Sequence, residues 1–188
     1  MTLKPLKTLI LVILAFGLVA CISPVAGLKA FLNPAGGYRF LYPNGWVQVR
    51  LTEAENPPDV VFRDLINETE NVSVVISPLT TEDGSTPTLE TLGTPGEVGY
   101  SLQQKAIAPP GSGRTAELVN ATERIDGPKT YYILEYEVTL PGQKRHDLAS
   151  VVVNRGNLYT FNASTTEDRW QKVADRFKTI INSFTVDT

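Results

Sequence analysis

One cysteine and one histidine occur in 188 residues, and each scarcity removes a class of function. The single cysteine, Cys21, allows no disulfide within the molecule, so the folded part depends on its apolar core. The single histidine, His146, excludes any metal site built on two or more histidines. Positive charge is also short, with 17 basic against 20 acidic residues. Phosphate contacts need a basic face, so nucleic acid is not an expected partner. No Gly-X-Ser-X-Gly elbow, His-Glu-X-X-His pair, phosphate loop or dinucleotide fingerprint is present. Pro110-Gly111-Ser112-Gly113 has neither the lysine nor the following helix of a phosphate cradle. The expectation is a binding protein, not an enzyme.

What the chain does have begins at its N-terminus. Lys4 and Lys7 precede an apolar run over residues 9–19, and then comes Leu18-Val19-Ala20-Cys21. A positive start, a short apolar core and a small residue at the cleavage point mark a secretory signal. The run is too short for a membrane-spanning helix, which needs about 20 residues. Leu18, Val19, Ala20 and Cys21 resemble a bacterial lipoprotein box, whose cysteine receives lipid because a thiolate is a good nucleophile. The expected division is a signal peptide over 1–20, a lipidated tether over 21–36 and a folded domain over 37–188. Pro24, Gly27, Pro34 and Gly36 support the tether. Loss of Lys4 and Lys7 with the signal moves the formal charge from −3 to −5. That leaves membrane attachment to lipid, since no polybasic segment assists it.

Beyond the tether, alternating and β-branched runs predict strands over 38–42, 46–49, 60–62, 72–76, 116–125, 130–140, 148–153 and 158–163. Pro43-Asn44-Gly45 predicts a hairpin between the first two, and Asn154-Arg155-Gly156-Asn157 one between the last two. Thr94-Pro95-Gly96-Glu97 reads as a capped helix start, with Val98, Leu102 and Ala106 on one face. A second helix starts near residues 164–168 and carries Trp170, Val173, Phe177, Ile180, Ile181 and Phe184 at helical spacing. Residues 78–93 predict a polar, mobile loop. The fold class is α+β, a mainly antiparallel sheet with helices packed on it.

Candidate chemistry is sparse. His146 stands in Gln143-Lys144-Arg145-His146-Asp147, a basic segment where a lone histidine is expected at the surface. The alternative is a weak metal site shared with Asp147 or another carboxylate, as imidazole and carboxylate together suit zinc. Glu53, Glu55, Asp59 and Asp64 read as a solvated face because they lack the regular oxygen-ligand spacing of a calcium loop.

Gly37-Tyr38-Arg39-Phe40-Leu41-Tyr42-Pro43-Asn44-Gly45-Trp46 is followed by related stretches at 59–64, 70–74, 129–136, 145–148, 150–159, 169–170 and 177–184. Together they resemble, in order and over residues 37–188, the PsbP family of photosystem II extrinsic proteins. With the lipoprotein box ahead, the chain is similar to a cyanobacterial lipoprotein member of that family. The resemblance implies an α-β-α sandwich and a place on the lumenal side of the thylakoid membrane. It also implies photosystem II reaction-centre subunits as partners. Plant members help retain calcium and chloride at the oxygen-evolving centre. A short lipidated tether in place of their N-terminal docking segment points instead to an assembly, repair or stabilising factor. Arg39, Arg145 and Arg155, with His146, are the candidates for meeting acidic lumenal loops.

Overall fold

The computed structural model describes residues 25–51, 57–79 and 87–187. In chain order the elements are β1 (Leu28–Asn33), β2 (Tyr38–Pro43), β3 (Val47–Val49), β4 (Val60–Arg63), β5 (Asn71–Pro78), α1 (Leu89–Leu92), α2 (Pro95–Leu102), β6 (Thr115–Asp126), β7 (Lys129–Leu140), β8 (Gln143–Asn154), β9 (Asn157–Thr166), α3 (Glu167–Asn182) and β10 (Thr185–Val186). Among these, no helix is long and apolar enough to cross a membrane. The strands β6 to β9 form a meander. Its β8–β9 turn places Arg155 and Gly156 at φ values of 49° and 74°, the left-handed turn that matches strand twist.

A seven-stranded antiparallel sheet runs in the order β3-β4-β5-β9-β8-β7-β6. Its two faces are both covered, because successive side chains point to opposite sides. Tyr131, Leu148, Val152, Phe161 and Ala163 face α3 and a small second sheet, ordered β1-β2-β10. Tyr132, Leu134, Tyr136, Ala149 and Val151 face α1 and α2. The result is the expected α-β-α sandwich. Phe161, Phe177, Ile180 and Phe184 are fully buried, and each contributes about 1.5–3 kcal/mol of transfer free energy.

Two of the helices, α2 and α3, start where the sequence signals them. Thr94 caps α2 through a reciprocal pair with Glu97, and Pro95 fills the first turn. The expected single helix is interrupted, however: α2 passes into a π-helical turn over Gln103–Ile107. Gly99 allows α2 to approach the sheet, since a Cβ there would lie 2.7 Å from a Leu118 methyl. The Tyr136 hydroxyl donates to the Gly99 carbonyl at 2.9 Å across the same contact. In α3, Glu167 and Asp168 occupy the first turn, where the helix dipole favours negative charge. Val173, Phe177, Ile180 and Ile181 form its buried face.

Three expectations need correction. The stretch read as the outer part of the tether contains β1, which pairs along its whole length with β2 from Leu28↔Pro43 to Asn33↔Tyr38. Pro34 to Gly37 turns the chain for that pairing, and Phe31 packs on Phe40 and Phe62. The chain also makes no hairpin at Pro43-Asn44-Gly45. β2 stays in the small sheet while β3 pairs with β4 in the large one, so this turn is a crossing between layers. Finally, the 78–93 stretch contains α1, capped by Thr88 and anchored by buried Leu89. Residues 80–86 of that stretch lie outside the described residues, as do residues 1–24 with Leu18, Val19, Ala20 and Cys21.

Candidate functional site

The polar side chains of interest converge on the first residues of β8. Strand alternation sends His146 to the α3 face and Arg145 and Asp147 to the opposite one. His146 is only 4% exposed, contrary to the surface position expected for it. Its Nε2 lies 2.8 Å from Glu135 of β7 and its Nδ1 2.9 Å from Glu167 of α3. Both ring nitrogens thus have a carboxylate oxygen within hydrogen-bond distance. Trp170 stacks on the imidazole with centroids 3.9 Å apart and planes within 12°. Trp170 in turn meets Phe177 edge-on, so the polar cluster is continuous with the core. Sequence reasoning missed Glu135 and Glu167. A usable signal existed: Glu135 continues the inward row of Tyr131 and Ile133, and His146 is in phase with Leu148 and Val152.

On the other face, Arg145 donates from Nε to the Ser164 hydroxyl at 3.0 Å and from Nη2 to the Thr69 carbonyl at 2.8 Å. The Ser164 hydroxyl donates to the Asp147 carboxylate. Burial pushes the Asp147 carboxyl above the usual carboxylate range, opposed by the Ser164 hydrogen bond and the Arg145 charge. These groups floor a groove of about 670 Å³, with Asn162, Thr160 and Ser73 beside them and Leu102 and Ile107 above. His146 and Asp147 are therefore not brought together, so the alternative of a metal site shared by those two has no geometric basis; the carboxylates that His146 meets are Glu135 and Glu167. Among the described residues, no group of three or more metal-ligating side chains is assembled.

The three arginines are also divided. Arg39, on β2, is exposed and donates to Thr185 at 2.9 Å. Arg155 stands at the β8–β9 turn, the end of the sheet that carries Asn154 and its bond to Asp187. Arg145 is ten residues back along β8, roughly 33 Å away in an extended strand. Of the acidic set, Asp59 accepts from the Tyr38 hydroxyl and from Asn33. Burial, followed by the bond to Asp59, pushes the Tyr38 hydroxyl well above the usual phenol range. Asp64 holds the loop that follows β4, accepting from the Ile66 amide at 2.8 Å and from Asn67 at 3.2 Å. Glu53 and Glu55 lie outside the described residues. Glu70, which the sequence did not mark as a site residue, is 3% exposed and pairs with Arg169 of α3 at 2.6 Å.

A family model described as PsbP matches residues 26–186, which includes every element above. The chain belongs to the PsbP family. It is 52% identical over 169 residues to CyanoP of Thermosynechococcus vestitus, covering 87% of this chain and 88% of that one. CyanoP of Synechocystis is 45% identical over 180 residues, covering 95% and 94%. The solution structure of the Synechocystis CyanoP superposes with a TM-score of 0.71 at 43% identity, over 92% of this chain and 99% of that one. The PsbP fold is thus shared over nearly the whole length, β1 and the small sheet included.

Proposed function

We propose that the chain is a non-catalytic accessory lipoprotein of photosystem II, held at the lumenal face of the thylakoid membrane and acting in assembly, repair or stabilisation. The observation that carries this reading is similarity to two CyanoP proteins over almost the full length of each. The site chemistry agrees with it. His146, Arg145, Asp147 and Glu70 all have polar partners within the protein, an arrangement suited to holding a rigid surface. Lipid on Cys21 confines the domain to a thin layer above the membrane, which raises its effective concentration near membrane partners. A weak and transient interface is then sufficient.

The division of the arginines sharpens the interface. Arg39 and Arg155 lie toward the β8–β9 end and form one candidate contact for acidic lumenal loops, whereas Arg145 belongs to the groove at the other end. The test is a pull-down from solubilised thylakoids, with bound complexes resolved by assembly state. Recovery of photosystem II intermediates by the wild-type chain, lost on Arg39→Glu with Arg155→Glu, is the expected result. Recovery of none overturns the accessory role. Calcium or zinc as a bound ion has weaker support, since both His146 nitrogens already face carboxylates and Asp147 faces away.

A further inference from the structure

We infer that the loop carrying Leu65 and Ile66 rests in the surface of the lipid bilayer, so that this end of the domain faces the membrane. The inference rests on the reading of Cys21 as lipidated. Ile66 is 90% exposed and Leu65 58%, in a domain whose other aliphatic side chains of β4 and β5 are largely buried. The loop does not expose them through looseness. Asp64 accepts from the Ile66 amide and the Asn67 side chain, the Glu70 amide donates to the Asn67 carbonyl, and Arg145 bonds the Thr69 carbonyl. Two adjacent aliphatic side chains are thereby held outward on a pinned loop, where each carries a hydration cost that an apolar phase would remove.

The path of the chain says which apolar phase. The Leu28 amide donates to Val25 and the Asn44 amide to Gly27, which fixes the N-terminal entry beside the turn that follows β2. That turn delivers Trp46, and the pairing of the next residue, Val47, with Arg63 sets it beside Asp64, the residue that organises the Leu65–Ile66 loop. The entry point and the apolar loop therefore occupy one end of the molecule. Val25, at the entry, is itself 49% exposed. Only four residues lead from Cys21 to Val25, a reach of at most about 14 Å. A lipid on Cys21 thus holds this end against the headgroups, within range of side chains that insert several ångströms into the acyl boundary. Glu68 is exposed on the same loop, so the contact is apolar insertion and needs no anionic lipid.

The test uses the full-length lipidated chain carrying Ile66→Cys or, separately, Leu65→Cys, labelled with an environment-sensitive nitrobenzoxadiazole. Cys21 in thioether linkage does not react with the label. In protein-free phosphatidylcholine vesicles the label at either position should shift to the blue. A spin-labelled lipid should quench it at least twofold, while a label at Glu123→Cys on β6 stays unquenched. Lipidated protein with unquenched labels at 65 and 66 overturns the inference and leaves the anchor reading standing. An intact mass showing a free thiol at Cys21 overturns the anchor and the inference with it. Protection seen only in membranes that contain photosystem II means that the loop meets a protein, which also overturns it.

Discussion

Replacing His146 by alanine should cost the domain about 3 kcal/mol, and the cost should be traceable to particular partners. Hydrogen bonds to charged groups contribute about 1.5–3 kcal/mol each when shielded from water. The Glu135 side chain is 18% exposed, so its bond to Nε2 belongs in that range. The Glu167 side chain is 37% exposed, and water takes over much of its bond, leaving about 0.5 kcal/mol. Loss of the stacked ring over Trp170 adds roughly 0.5–1.5 kcal/mol. For a domain of this length each kcal/mol lowers Tm by about 2–4 °C, so a drop of about 6–12 °C is expected. Urea titration of a double-mutant cycle with Glu135→Gln isolates the pair, for which a coupling of about 1.5–2 kcal/mol is expected. A total loss below about 1 kcal/mol, or a coupling indistinguishable from zero, would refute the reasoning. His146 would then be a passenger in the site.

Glu70→Gln should lose about 1–3 kcal/mol in urea, because it weakens a nearly buried pair with Arg169 that joins the sheet to α3. Gly99→Ala should lose about 1–2 kcal/mol through crowding against Leu118, and a change smaller than about 0.3 kcal/mol would mean that α2 slides freely. Thr94→Ala should cost about 1 kcal/mol by removing the α2 cap, read as a lower urea midpoint. Asp147 keeps its proton to higher pH in the folded state than in the unfolded chain, principally because it is buried. Its contribution favours folding below the ordinary aspartate range and is lost as pH rises through the raised value. Asp147→Asn cannot ionise, so urea midpoints measured across acid pH should lose that part of their slope; an unchanged slope contradicts the assignment.

Local signals and contacts between layers differ in how far a sequence carries them. The capping box at Thr94 and Glu97, the left-handed turn at Arg155-Gly156 and the apolar stripe of α3 depend on residues within four positions of each other. They are found where the pattern placed them, except that Phe184 lies just past the end of α3. The turn at Asn44-Gly45 marked a reversal equally well but not which sheet each flanking strand would join. β1 was missed because its apolar residues are only partly buried, and its place depends on the backbone of β2.

By itself, the sequence determined the α+β class, the starts of α2 and α3, most of the strand segments and the family. All of these are written in local spacing or in an ordered series of matched segments. Only the tertiary structure decided the site. Alternation along β8 parts His146 from Asp147, although they are neighbours in the chain, and gives His146 to Glu135 and Glu167, 11 and 21 positions away. Burial of Glu70 required Arg169, 99 residues on. Pairing across that distance depends on which strands lie side by side and how α3 crosses them, and no spacing rule in one chain encodes it.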